Sequence, residues 1–205
     1  MNKSVKILLG VIIGIVLIFG YMRFVKAPGV YDTAVSYQEE VTASWGNVES
    51  SYQRRADLIP NLVATVKGYA EHEKSTLTAV IEARAKATSV NVDASNLNAQ
   101  NMQQFQQAQS GLTSALSKLM VVVEKYPDLK ANQNFSELQA QLEGTENRIN
   151  VARNRFNDNV KTYNKFIRGY WKRLFLGWIA DEDEFPKMES FKAQEGSEVA
   201  PTVQF

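Results

Sequence analysis

The sequence predicts an all-α protein: an N-terminal transmembrane helix followed by an antiparallel up-down helical bundle. Three observations predict it. An apolar run without charge occupies Ile7 to Met22. Apolar residues then recur in steps of three and four as far as Ile167, the period of helices that turn one stripe toward a core. Breakers are sparse, with five prolines and 11 glycines in 205 residues, and Pro60 is the sole proline between Pro28 and Pro127. Long helices follow from such a chain.

Residues 1–26 read as the anchor. The run from Ile7 to Met22 spans about 24 Å at ~1.5 Å per helical residue, short of a hydrocarbon core of ~30 Å. Val5, Phe24 and Val25 lengthen it, while Lys6 and Arg23 can snorkel to the headgroups. The alternative is a cleaved signal peptide, whose best site is Val25-Lys26-Ala27. Pro28 would follow that cut, so an uncleaved anchor is expected. Lys3 and Lys6 face Arg23 and Lys26 across the span. The charge bias is therefore small and leans toward a bundle outside the cytoplasm. Gly10 and Gly14 match the small-xxx-small spacing that lets two membrane helices approach, although glycine is common in such helices.

Four apolar stripes follow, covering residues 30–170. The first runs from Tyr31 through Val41, Trp45 and Tyr52 to Ala56, and the second from Leu62 through Val66 and Val80 to Ala83. The third runs from Leu97 through Phe105, Leu112 and Leu119 to Tyr126. The fourth, from Phe135 through Ile149 and Phe156 to Ile167, holds nearly a heptad repeat. Asp93 or Ser95 can cap the third helix, and Asn134 or Ser136 the fourth. Pro127 stops the third, because proline disfavours a helical residue before it. Pro60 leaves two architectures open. Either there are four helices, with Asp57 capping the second, or three long ones, the first kinked at Pro60. The split is favoured because it yields segments of similar length and leaves no apolar stripe uncovered.

The chemistry of the chain argues against an enzyme and against any cofactor. There is no cysteine, hence no thiolate metal site, disulfide, cysteine nucleophile or lipid-modified cysteine. The single histidine, His72, has Thr76 where a zinc-protease motif needs a second histidine. No Gly-x-Ser-x-Gly elbow or glycine-rich phosphate loop occurs. Asp181-Glu182-Asp183-Glu184 lacks the spaced oxygen ligands and turn glycine of a cation loop and reads as a solvated acidic tail. A hydrolase with carboxylates paired across helices is the remaining enzymatic alternative. A net charge of +1 argues against nucleic acid as a partner.

Two surfaces are candidates for contact. Asn147, Asn150, Asn154, Asn157 and Asn164 recur at helical spacing about 130° from the apolar seam. Asparagine is a poor helix former, so the line reads either as an amide face for a protein partner or a second copy of the chain, or as a polar solvent face. The segment 161–178 interleaves Lys165, Arg168, Lys172 and Arg173 with Tyr163, Phe166, Tyr170, Trp171, Phe175 and Trp178. Mixed cations and aromatics suit a membrane interface, with Lys165, Arg168, Trp171, Lys172, Arg173 and Trp178 as the contact residues and a lipid-sensing role as the alternative function. The bland reading is that these aromatics cap the bundle core. In a four-helix bundle the last helix returns to the membrane-proximal end, which places this segment at the headgroups. Residues 171–205 form the tail.

The sequence resembles the LemA family. The resemblance rests on Arg54-Arg55-Ala56-Asp57-Leu58-Ile59-Pro60-Asn61-Leu62-Val63, then Val66-Lys67-Gly68-Tyr69-Ala70 and His72-Glu73. A second block comprises Glu146-Asn147-Arg148-Ile149, Ala152-Arg153, Phe156-Asn157, Val160 and Tyr163-Asn164, and the ending Ala200-Pro201-Thr202-Val203-Gln204-Phe205 is also similar. Within the first block Arg54, Arg55, Asp57, Pro60 and Asn61 are the marking residues. The resemblance implies a helical bundle at the bacterial inner membrane with no settled biochemical activity. Lipoprotein-like N-termini in such proteins imply a bundle on the extracytoplasmic side. The present chain departs by lacking that cysteine, and again at Arg168-Gly-Tyr-Trp-Lys-Arg.

Overall fold

The computed structural model describes residues 2–94, 97–181 and 183–192, which contain helices and no strand. Helix α1 is Lys3–Tyr21, and a single π turn, Met22–Lys26, joins it without a break to α2, Ala27–Lys67. There follow α3 (Lys74–Ser89), α4 (Ala99–Val123), the short α5 (Pro127–Lys130), α6 (Gln133–Ile167) and α7 (Tyr170–Ile179). The described residues form two compact units, one of residues 2–43 with 158–188, the other of 44–157 with 189–192.

In the first unit α1 is the one helix long and apolar enough to cross a membrane, and its apolar window buries nothing. Its 19 residues give about 28 Å at ~1.5 Å each, close to the ~30 Å core. The start of α2 runs antiparallel to the end of α6. Tyr37 meets Phe166 edge-on at 5.2 Å, and the Asn159 Nδ2 donates to the Glu40 carbonyl at 3.2 Å. Ala34, Val41, Val160, Tyr163 and Ile167 are buried there.

The second unit contains the four-helix bundle. Contacts fix its directions. Ala56 on α2 meets Arg84 on α3, Ala87 on α3 meets Gln109 on α4, and Arg55 on α2 meets both Gln109 and Glu146 on α6. These pairs describe an up-down-up-down order. Ile59, Leu62, Val66, Val80, Leu112, Leu119, Leu129 and Phe135 are fully or almost fully buried in its core.

The bundle has four helices, but the first break is not at Pro60. That residue sits inside α2, which runs on to Lys67. The chain leaves the helix through the turn in which Tyr69 and Ala70 both donate to the Val66 carbonyl, and α3 begins at Lys74. Asp57 caps nothing, and its carboxylate accepts from Gln53 one turn earlier. The reason α2 survives Pro60 is visible. Proline has no N–H for the carbonyl four residues back, a defect of ~3 kcal/mol inside a helix. That carbonyl belongs to Ala56, and the Nε of Arg84 donates to it at 2.8 Å. A hydrogen bond from a charged donor contributes about 1.5–3 kcal/mol, enough to offset most of the defect.

Two caps also differ from the sequence expectation. Asn98, not Asp93, caps α4 by accepting from the Asn101 N–H; Ser95 lies outside the described residues. Asn132, not Asn134 or Ser136, accepts from the Phe135 N–H at the start of α6.

Replacing Arg84 by Met should lower the unfolding free energy by about 1–3 kcal/mol, the penalty for an unsatisfied buried carbonyl. Pro60→Ala supplies the missing N–H, so the double variant should regain most of that loss. Denaturant unfolding of the four proteins as a cycle checks it, and additive losses would show that the two positions are uncoupled.

Candidate functional site

Of the residues that mark the family resemblance, Arg55 is buried at the centre of a hydrogen-bond network. Arg55 is 4% exposed. Its Nη1 donates to Thr113 Oγ1 at 3.2 Å and to Glu146 Oε2 at 3.1 Å, and its Nη2 donates to Gln109 Oε1 at 2.9 Å. The guanidinium also lies 5.1 Å from the Tyr52 ring centre. Gln109 passes the connection on, donating from Nε2 to the Ala87 carbonyl at 3.2 Å. One side chain of α2 thus reaches α4 and α6 directly and α3 through a relay. Asp57, Pro60 and Asn61 are exposed at their side chains, as is Arg54.

Arg54 borders a shallow cleft with Leu58, Gln141, Gly144, Thr145 and Arg148. A second cleft is lined by Glu49, Tyr52, Gln53, Thr88, Asn91 and Gln109 among others. Glu49 is the one carboxylate lining either cleft. His72 is exposed, and no group of three or more metal-binding side chains occurs among the described residues.

The five asparagines of the predicted line on α6 divide into two sets. Asn147, Asn150 and Asn154 are exposed, and Val151 beside them is 69% exposed. Asn157 and Asn164 hold the chain's own later segment. In the second unit, Asn157 accepts from the Phe191 N–H at 2.9 Å and donates to its carbonyl at 3.2 Å. In the first, Asn164 accepts from the Met188 N–H at 3.1 Å and donates to its carbonyl at 2.7 Å. A carboxamide carries one acceptor and a donor group in the same plane as a peptide. Each asparagine therefore pairs an extended residue as a neighbouring strand would.

Sequence reasoning missed these two partners. Phe191 stacks at 5.9 Å on Trp45, meets Phe156 at 5.5 Å, and has the Arg153 guanidinium 4.6 Å from its ring centre. Met188 is 1% exposed. Residues 183–192 are thus a packed strap within the stretch read as tail. The acidic run overlaps the start of the strap and is partly engaged: Tyr31 donates to the Glu184 carboxylate, which also accepts from the Asp181 N–H at 3.1 Å, while Glu182 lies outside the described residues.

The segment 161–178 is not one surface. Tyr163, Phe166 and Ile167 turn into the first unit, and the Tyr163 hydroxyl donates to the Pro186 carbonyl at 3.0 Å. Lys165, Arg168, Trp171, Lys172 and Arg173 are exposed, whereas Trp178 is half-buried. Trp178 packs 5.2 Å from Phe19 of α1.

Replacing Asn157 or Asn164 by Ala should speed hydrogen exchange at the Phe191 or Met188 amide respectively, by the factor that about 1–3 kcal/mol implies for a broken buried pair. Exchange unchanged at both amides would show that the strap is held by its side chains alone. Burial pushes the Tyr163 phenol up to about 12, against ~10 unfolded. The folded protein therefore holds this proton more tightly. The group's contribution to stability is complete below pH ~10 and is lost as pH rises from there toward about 12. Tyr163→Phe should flatten that part of the alkaline stability curve.

The sequence model of the LemA family matches residues 44–205. Magnetosome protein MamQ 2 of Paramagnetospirillum magneticum is 27% identical over 179 residues, which cover 79% of this chain and 64% of that protein. Magnetosome protein MamQ of Magnetospirillum gryphiswaldense is 27% identical over 178 residues, covering 78% and 64%. Protein LemA of Metamycoplasma hominis is 22% identical over 158 residues, covering 77% and 67%. The chain spans just under two thirds of the MamQ proteins it matches.

Proposed function

The chain belongs to the LemA family, and on that premise we propose that it is a non-enzymatic, membrane-anchored scaffold or adaptor of the bacterial envelope. In this reading α1 holds the protein in the inner membrane, and the outer face of α6 receives a protein partner or a second copy of the chain. The observation that carries it is the division of the asparagine line. Asn157 and Asn164 already pair with extended backbone, whereas Asn147, Asn150 and Asn154 present the same amides outward beside an exposed Val151. An apolar side chain bordered by amides on one flank and by the exposed Arg148 and Arg155 on the other is a small patch suited to a polar protein contact.

The bundle is placed on the extracytoplasmic side, supported by what the family resemblance implies for the N-terminus. The absence of cysteine makes that side directly testable. A single cysteine introduced at Asn61, which is exposed, should react in intact cells with a maleimide that cannot cross the inner membrane, and protection until lysis would reverse the orientation.

Photocrosslinking residues at Asn147, Asn150 and Asn154 in native membranes should give one discrete adduct, either a heterologous protein or twice the chain mass. Positions on the opposite side of the bundle, such as Ala79 of α3, serve as controls. Monomer at every α6 position would remove the contact face from consideration.

A further inference from the structure

We propose that α7 and the π turn after α1 form one interfacial collar that binds the headgroup layer of an anionic phospholipid bilayer. The inference rests on reading α1 as membrane-spanning and adds to it a lipid-binding surface on the folded unit.

The placement comes first. Helix α7 packs against the π turn, and Trp178 near its end lies 5.2 Å from Phe19 in the last turn of α1. If α1 spans the bilayer, that contact sets α7 at the depth where the span ends.

The faces of α7 come second. Leu176 is buried, and Phe175 and Ile179 are half-buried, so one side is already occupied by the protein. The other side is apolar yet open: Tyr170 is 78% exposed, Trp171 58% and Leu174 39%. At ~100° per residue these three fall within an arc of about 100°. A water-facing helix would carry charge there. Arg173, exposed, flanks the stripe about 60° from Tyr170, while Lys172 lies nearly opposite it, its ammonium 5.9 Å from the Phe166 ring centre. An open apolar stripe of Tyr, Trp and Leu with a cation at its edge suits a helix lying in the headgroup region.

The π turn repeats the pattern. Phe24 is 77% exposed and Val25 56%. The Arg23 guanidinium lies 6.0 Å from the Phe24 ring centre and the Lys26 ammonium 5.9 Å from that of Tyr21. Arg23, Lys26 and Arg173 thus stand beside exposed aromatics in one unit, which is charge complementary to an anionic lipid surface. The acids that follow, Asp181 and Asp183, are exposed beyond the C-terminal end of α7, and Glu184 is engaged by Tyr31.

The test uses the full chain in nanodiscs of brominated phosphatidylcholine, with and without brominated phosphatidylglycerol. Emission lost in Trp171→Phe reports Trp171, and Leu17→Trp reports the span. Both should be strongly quenched by bromine, and Trp171 more so with phosphatidylglycerol. Arg23→Glu with Arg173→Glu should abolish that lipid preference while leaving Leu17→Trp quenched. Leu17→Trp quenched with Trp171 unquenched and open to aqueous acrylamide overturns the collar and reassigns the face to a protein. Equal quenching of Trp171 in both lipids overturns the anionic preference. Leu17→Trp itself unquenched sinks the membrane-spanning reading of α1, a distinct failure.

Discussion

A single carbonyl oxygen organises the four-helix unit. Pro60 deprives Ala56 of the N–H that a regular α2 would provide, and Arg84 replaces it from α3. The bond decides where the bundle can turn. With the carbonyl satisfied, α2 continues to Lys67, so Ile59, Leu62 and Val66 all reach the core. One residue earlier, Arg55 carries a buried charge to Gln109, Thr113 and Glu146. Its Nε remains buried without a partner, so the guanidinium is held by its two terminal nitrogens. Removing a partner from a buried charge is costlier than the pair is stabilising. The network therefore acts mainly by excluding other registers of α2 against α4 and α6. Helices whose apolar stripes repeat every three or four residues can slide by a turn at modest cost. A fixed proline defect and a fixed buried cation cannot be re-satisfied after such a slide.

The helices were legible because burial follows a local period. Val41, Trp45, Val48, Tyr52 and Ala56 are all buried, as are Phe135, Leu142, Ile149, Phe156 and Tyr163. What was not legible is non-local. Pro60 is a stronger local breaker than Gly68, and nothing within a turn of Pro60 announces a donor 24 residues away on the next helix. The asparagines illustrate the same limit. Their helical line was visible, but its meaning at Asn157 and Asn164 depends on backbone groups of Phe191 and Met188, which no periodicity on α6 encodes. The segment 161–178 divided for a related reason. Tyr163 and Phe166 obey the core stripe of α6, while α7 starts a new helix after Gly169 with its own faces.

The strap explains why aromatic residues cluster far beyond the last bundle helix. Phe191 completes a group with Trp45, Phe105 and Phe156. Aromatic pairs in such edge and offset arrangements add about 0.5–1.5 kcal/mol beyond their buried area. The Arg153 cation over the Phe191 ring adds a further contact. A segment without secondary structure can be ordered by these terms only if its backbone is also paired, which is what Asn157 provides. The Glu189 N–H donates in turn to the Leu97 carbonyl, tying the strap to the loop before α4.

The same arithmetic separates structure from function on α6. An asparagine in a helix interior is less favourable than alanine by a few tenths of a kcal/mol or more. At Asn157 and Asn164 that loss is offset within the fold, since each makes two hydrogen bonds to extended backbone. At Asn147, Asn150 and Asn154 the side chains are exposed, and the neighbouring Val151 leaves most of an apolar side chain in water. The marking residues Arg55 and Pro60 are accounted for by the bundle itself, whereas Arg54, Asp57 and Asn61 are exposed on α2. A position whose residue is explained by packing gives no information about a partner. A position that is locally unfavourable and uncompensated within the fold does. By that criterion the contact proposed on the outer face of α6 between Asn147 and Asn154 is a place to look for a partner's contribution to the stability of this protein.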